Sequence, residues 1–188
     1  MKDNLKLILL IVIWAVVWGF FNLSGVIYYS NFVIASCYFF VFGLVLLFLY
    51  KKEISLIIKP RRVLIFITIV FMICVSFLVF VLILDSRYGF FISKALDILF
   101  QQLWVLSLLG LLIKNKQEKL FGLIFILIHI PIFFVFPTSL GLLVIFASAV
   151  ASFIFPLIIL RGPGGYIHSY FTHYFFYIVA GLFLPLGN

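Results

Sequence analysis

The chain has 188 residues, of which 67% are hydrophobic, 20% aromatic and 10% charged, and its formal net charge is +8. Soluble domains carry roughly 25% charged residues, and a water-soluble globule of this length could not bury so much apolar surface. An ordinary soluble domain is therefore excluded. In lipid every backbone polar group needs an internal partner, and the apolar runs lack the alternation of barrel strands. We predict an all-α protein, a polytopic transmembrane helical bundle that forms one domain over residues 1–188, with the lipid bilayer as its partner.

Seven apolar runs approach the roughly 20 residues that a helix needs to cross the hydrocarbon. The predicted spans are 7–21, 32–50, 63–84, 95–113, 120–136, 140–160 and 166–184. The first follows a charged start containing Lys2 and Lys6, and we interpret it as an uncleaved span because no small-x-small cleavage site comes after it. Pro131 is expected to kink the fifth span, since proline lacks the N–H that an interior helical position donates.

The basic residues indicate the orientation of these spans, because Lys and Arg in short loops are retained on the cytoplasmic side. Eleven of the thirteen fall on one side of the predicted topology: Lys2, Lys6, Lys51, Lys52, Lys59, Arg61, Arg62, Lys114, Lys116, Lys119 and Arg161. Only Arg87 and Lys94 fall opposite. We predict seven crossings of the plasma (inner) membrane, with the N-terminus cytoplasmic and the C-terminus exterior. The positive charge then reports topology, and no nucleic-acid partner is expected.

Polar side chains inside membrane spans are rare and costly, so each is a candidate for function. They are Asp97, Gln101, Gln102, His129, His168 and His173. At about 1.5 Å per residue, Gln101, His129 and His173 lie at one depth near the midplane. We predict that these three and Gln102 converge on one intramembrane site, although such residues also serve as simple interhelical contacts.

Two of the six have simpler explanations. Asp97 is predicted in the first turn of its helix, near Lys94 and Arg87, where a carboxylate stabilises the helix dipole. His168 lies close to the cytoplasmic end of the last span, where it can touch water. A structural role is the first hypothesis for both residues.

The order of the polar residues resembles that of the CPBP (CAAX protease and bacteriocin-processing, or Abi) family of intramembrane proteases. That family carries a Glu-Glu-x-x-x-Arg motif, then Phe-x-x-x-His, then His-x-x-x-Asn, on separate helices. The corresponding residues are Gln101, Gln102 and Leu106 in the first motif, Phe125 and His129 in the second, and His173 and Tyr177 in the third. The resemblance covers roughly the second half of the chain, from Asp97 onward.

The resemblance implies a glutamate that activates water for peptide-bond attack, with histidines that assist directly or through a metal. It makes Gln101, Gln102, His129 and His173 the degenerate counterpart of a catalytic site. Further candidates follow from it: Phe125, Tyr177 and Asp97 for binding, and His129 and His173 as ligands of zinc or another divalent metal.

A neutral amide cannot accept a proton as a general base does, so we predict a pseudoenzyme that binds a hydrophobic peptide or another membrane protein and needs no cofactor. Two alternatives stay open. One is an active metal-dependent endopeptidase that uses Asp97 with His129 and His173. The other is an accessory subunit whose polar residues only lock helices together.

Overall fold

The computed structural model describes residues 3–19, 31–84, 89–131, 138–162 and 164–183. The regular elements of these residues are all helical, which confirms the predicted class. They are α1 (Asp3–Trp14) with a following π-helical turn (Ala15–Gly19), α2 (Phe32–Leu49), α3 (Lys51–Ile54), α4 (Pro60–Leu84), α5 (Gly89–Lys114), α6 (Leu120–Leu127), α7 (Thr138–Leu160) and α8 (Gly165–Phe183).

Three helical segments among the described residues are long and apolar enough to cross a membrane: Phe32–Leu49, Arg61–Leu78 and Gly89–Lys114. Large apolar side chains also cover the outside of the bundle. Phe48 is 75% exposed and Phe153 is 70% exposed. An apolar exterior on apolar helices of spanning length is the character of a helical membrane protein.

Helix α5 is the centre of the bundle. Buried residues make up 94% of its most apolar window, against 28% for α4, although its mean hydropathy of 1.9 is the lowest of the three segments. It packs against α1, α2, α3, α4 and α8. The helix richest in polar side chains is thus the one most shielded from lipid, because polar groups facing hydrocarbon are costly.

One end of the bundle collects the basic segments, and we call it the basic end. Contacts between distant parts of the chain define it: Asp3 with Lys114, Lys6 with Glu53, and the Tyr166 hydroxyl with the Arg62 carbonyl. The starts of α1, α4 and α8, the end of α5 and the short helix α3 therefore lie together. These are segments that the charge pattern assigned to a single side.

Two predictions about α5 are wrong. The helix begins at Gly89 rather than at residue 95, so Lys94 lies within it instead of in a loop, and Asp97 lies in its third turn instead of its first. The apolar run did not predict the start of the helix because two charged residues of opposite sign, Lys94 and Asp97, lie inside it. Their ion pair reduces the cost of burying both.

The segment around His129 also differs from the prediction. Helix α6 ends at Leu127, and a turn at Ile128 and His129 leads into a short 3₁₀ segment that includes Pro131. Pro131 has no N–H to donate to the Leu127 carbonyl, which accounts for a helix end in place of the expected kink. Residues 132–136 of the predicted fifth span lie outside the described residues.

Candidate functional site

Asp97 is the centre of a buried polar chain on one face of α5. Its side chain is completely buried, and the Lys94 Nζ lies 2.7 Å from its Oδ2 atom. The Gln101 Nε2 donates to its Oδ1 atom at 2.9 Å. Residues three and four apart face each other on a helix, so these contacts form within α5. Both carboxylate oxygens of Asp97 are therefore engaged by donors of its own helix.

Gln102 points toward a different helix. Its Nε2 donates to the Ser169 Oγ of α8 at 3.1 Å, which joins residues 67 apart in sequence. Its Oε1 atom is buried and has no hydrogen-bond partner among the described residues. Reversing the amide would leave the nitrogen in that position instead, so one half of this buried amide lacks a partner in either orientation.

His129 faces the tryptophans of the first helical segment. Its Nδ1 lies 2.6 Å from the Phe125 carbonyl oxygen, and because a carbonyl only accepts, this nitrogen donates. The ring packs against Phe125, Trp14 and Trp18, with centroid distances of 4.6, 5.3 and 5.8 Å. Trp14, Trp18 and Trp104 are at most 5% exposed, so these side chains lie in the interior of the bundle.

His173 lies one helical turn beyond Ser169 on α8, and its Nδ1 atom is buried. Its ring packs against Phe155 at 5.0 Å. Phe155 in turn meets Phe125 edge to face at 6.2 Å, so an aromatic pair stands between the two histidines.

The structure thus separates the residues that were expected in one pocket into neighbouring groups. Gln101 belongs with Asp97, Gln102 belongs with Ser169 beside His173, and His129 belongs with the tryptophans. The glutamines diverge because consecutive residues on a helix point about 100° apart. His168 is exposed near the start of α8, as predicted.

Tyr177 lies on α8, but its side chain is outside the described residues. Phe125 is 3% exposed and belongs to the aromatic packing around His129.

The donor set for the divalent metal that the family resemblance implies is incomplete. Within the described ranges no group of three or more His, Cys, Asp or Glu could hold a metal ion, whereas catalytic zinc usually takes three protein ligands. Asp97 is engaged by Lys94 and Gln101, and His129 donates its Nδ1–H to a carbonyl, which leaves its Nε2 lone pair as the donor. Among the described residues the two histidines therefore lack the third ligand that such a metal usually takes.

Sequence reasoning missed a second polar cluster, which lies at the basic end. Glu53 is 2% exposed, and its Oε1 lies 2.5 Å from the Lys6 Nζ. The Tyr50 hydroxyl donates to the Lys6 carbonyl at 2.7 Å. A Cβ added at Gly110 would fall on the Glu53 carbonyl oxygen, so glycine permits α3 to lie directly on α5. The available signal was that Glu53 is the single acidic residue in the basic segment 51–62.

A neighbouring ion pair fastens the start of α1 to the end of α5. The Lys114 Nζ lies 2.7 Å from the Asp3 Oδ1, and this hydrogen bond lowers the pKa of the Asp3 carboxyl below its usual value. Deeper in the bundle, the Trp104 indole donates to the Leu10 carbonyl at 2.8 Å. Helix α1 is therefore held to α5 at two depths.

Comparisons of the chain with protein-family models, with curated proteins and with solved structures gave no match.

Proposed function

We propose that this chain is a plasma (inner) membrane protein that crosses the bilayer seven times, with its N-terminus in the cytoplasm and its C-terminus outside. Support comes from the three helical segments of spanning length and from the gathering of basic segments at one end of the bundle. Because positive residues are retained on the cytoplasmic side, the basic end faces the cytoplasm in this proposal.

Single cysteines test this topology in a variant with Cys37 and Cys74 replaced by serine. In intact cells, a membrane-impermeant maleimide should label Asn31→Cys. It should label Asn115→Cys and Gly162→Cys only after permeabilisation. Labelling of Asn115→Cys in intact cells would overturn the orientation, and opposite behaviour of Asn115→Cys and Gly162→Cys would overturn the span count.

The protein acts by binding rather than by hydrolysis, and one observation carries this proposal. Asp97 is the carboxylate of the buried polar chain on α5, and both of its oxygens already accept hydrogen bonds, from Lys94 and Gln101. A general base needs a lone pair directed at a water or substrate proton. The glutamines cannot replace it, because an amide does not accept a proton near neutral pH. Kinship with the CPBP family, as a degenerate member, is part of the same proposal.

The ligand that fits is a hydrophobic peptide or the helix of another membrane protein. The half-satisfied amide of Gln102 lies in the interior beside Ser169 and near His173. A buried polar atom without a partner is destabilising. An amide or hydroxyl of an inserted peptide could complete the hydrogen bonds of Gln102, while the apolar surroundings bury its side chains.

Binding can be measured with the protein in lipid nanodiscs and a fluorescent Leu/Ala-rich peptide of about 20 residues. Wild-type protein should bind this peptide. Gln102→Leu should bind it about threefold to tenfold more weakly, which is the effect expected from the loss of one hydrogen bond. Ser107→Ala is the matched control, because Ser107 is buried on α5 but donates to its own helix at Leu103.

Two outcomes would overturn the proposal. One is equal affinity of wild-type protein and Gln102→Leu. The other is cleavage of the peptide that disappears in His129→Ala, which would establish an active hydrolase.

An accessory subunit locked by its polar residues is the second candidate, and specific contacts favour it. Tyr170 and Tyr174 of α8 donate to the α5 carbonyls of Ala95 and Phe91 at 3.0 and 3.1 Å. With the Gln102 hydrogen bond, these contacts tie α8 to α5. This candidate gains if Gln102→Leu lowers thermal stability and leaves binding of the peptide unchanged.

A further inference from the structure

A cleft opens at the basic end, where α7 passes into α8. Its volume is about 410 Å³. The lining residues are Ile158, Arg161, Gly162, Gly164, Gly165 and His168. Arg161 and His168 are exposed, so a cation and a second polar side chain border a floor formed largely by glycine. Lys94, Asp97 and Gln101 are not among the residues that line this cleft.

Gly165 explains how the two helices come so close. A Cβ added there would fall on the carbonyl oxygen of Ile158, so only glycine permits this approach of the two backbones. Gly162 and Gly164 also line the cleft, so three of its six described lining residues have no side chain. A ligand held by Arg161 and His168 can therefore approach the backbone.

The start of helix α4, which carries Arg61 and Arg62, lies next to the start of α8. The Tyr166 hydroxyl donates to the Arg62 carbonyl at 3.1 Å, and the Phe66 ring packs edge to face on Tyr166 at 5.4 Å. The first turns of α4 and α8 are thus neighbours. Arg61 and Arg62 are both exposed there.

Three lysines of the bundle have carboxylate partners, whereas these arginines, like the exposed Lys116 and Lys119, have none among the described residues. Lys6, Lys94 and Lys114 each pair with a carboxylate. Arg61, Arg62 and Arg161 make no ion pair to any of the residues whose positions are described. Clustered cations without internal counterions produce a positive potential that attracts an anion.

We infer that this cleft binds the phosphate of an anionic lipid headgroup. The guanidinium of Arg161 presents a planar fork that matches phosphate oxygens, and His168 offers a further ring nitrogen. Basic pockets between helices on the cytoplasmic side are suited to such headgroups. The surface next to the cleft favours a lipid over free phosphate, because Leu157 and Leu160 of α7 are 59% and 51% exposed and give an acyl chain an apolar path.

Native mass spectrometry of the detergent-solubilised protein tests the site, because it measures which lipids the protein retains. Wild-type protein should retain phosphatidylglycerol in preference to phosphatidylcholine. Each of Arg62→Gln and Arg161→Gln should weaken phosphatidylglycerol binding about fivefold, as expected for one basic residue near the surface. The double variant should lose about 25-fold if the effects add.

The matched control removes the same charge elsewhere at the basic end. Lys116 and Lys119 are exposed, and Lys116→Gln with Lys119→Gln should change retention of phosphatidylglycerol less than twofold, on the order of an uninvolved surface site. An equal loss in the two double variants would overturn the site, because general positive charge would then explain binding. Retention of phosphatidylcholine and phosphatidylglycerol to the same extent by wild-type protein would also overturn the site.

Inorganic phosphate distinguishes the two possible sources of the ligand. Displacement of phosphatidylglycerol by phosphate at concentrations comparable to those of the lipid would assign the cleft to a soluble anion and overturn the lipid assignment. His168→Ala changes an exposed side chain and serves if the arginine variants do not fold. It should weaken phosphatidylglycerol binding about threefold, the value of one hydrogen bond, and unchanged binding would count against the cleft.

Discussion

Replacing Asp97 by leucine removes the carboxylate that two buried donors of α5 contact. The Asp97 side chain is completely buried, the Lys94 side chain is 10% exposed, and their atoms lie 2.7 Å apart. Removing one partner of a buried ion pair costs about 3 to 5 kcal/mol, and loss of an acceptor for the Gln101 amide adds about 1 kcal/mol or more. We expect the free energy of unfolding to fall by at least about 4 kcal/mol.

Lys94→Leu and the double variant separate the charge from the packing. Lys94→Leu leaves Asp97 with the Gln101 hydrogen bond, and it should therefore destabilise less than Asp97→Leu. The double variant removes both charges together, and replacing a whole buried pair by apolar residues is often neutral or stabilising. It should be more stable than Asp97→Leu alone, with a coupling energy of about 2 kcal/mol.

The free energy of unfolding of each variant is measured by titrating the protein in mixed lipid–detergent micelles with SDS and following its far-ultraviolet circular dichroism. Ser76→Ala is the control, since Ser76 is exposed on α4 and bonds to its own helix at Met72; its effect should stay within about 0.5 kcal/mol. If Asp97→Leu came within about 1 kcal/mol of wild type, or if the double variant were no more stable than it, the carboxylate could not have the structural role given to it here.

Three further predictions concern contacts of α5 at and near the basic end. Gly110→Ala places a Cβ on the α3 carbonyl and should lower the free energy of unfolding by about 1 to 3 kcal/mol; Gly122→Ala, whose Cβ would meet its nearest atom at 3.5 Å, should change it by about 0.5 kcal/mol or less. Trp104→Phe removes the N–H donated to α1 at 2.8 Å and should cost about 1 kcal/mol in the same titration. Because Lys114 lowers the pKa of Asp3, their pair should stabilise the fold above the usual carboxyl pKa, and this stabilisation should be lost as the pH falls through the lowered pKa. The Tm of wild-type protein should therefore fall over this acid range, and the contribution of the pair to that fall should be absent in Asp3→Asn.

The ends of two helices followed from local properties of the sequence. Helices α2 and α7 end at Leu49 and Leu160, within one residue of the predicted span ends, because an apolar run stops where the chain meets a Lys or Arg. Such boundaries depend on the cost of placing charge in hydrocarbon, which a single stretch of sequence reveals. The predicted start of α5 was late for the same reason, since Lys94 looked like a loop residue until Asp97 was seen to neutralise it.

The partners of the polar side chains did not follow from depth alone. Gln102 and His173 were predicted at similar depths, yet Gln102 bonds to Ser169, one turn from that histidine. Which of two groups at one level meet is decided by the rotation of each helix about its axis, and that rotation depends on packing across the whole bundle. The burial of Glu53 against α5 depends on a glycine 57 positions later, and no local pattern connects these two residues.

The adjacent glutamines should separate stability from binding. Gln101→Leu leaves a buried oxygen of Asp97 without the amide that contacts it at 2.9 Å, which should lower the free energy of unfolding by about 1 to 3 kcal/mol. Gln102→Leu loses one interhelical hydrogen bond, worth about 0.6 kcal/mol in membranes. It also removes a buried oxygen without a partner among the described residues, so its net effect on stability should be near zero. Equal losses of stability in the two variants would show that the Gln102 amide contributes to folding as the Gln101 amide does, whereas a stable Gln102→Leu protein that binds the peptide about threefold to tenfold more weakly would identify its amide as a contact made for a ligand.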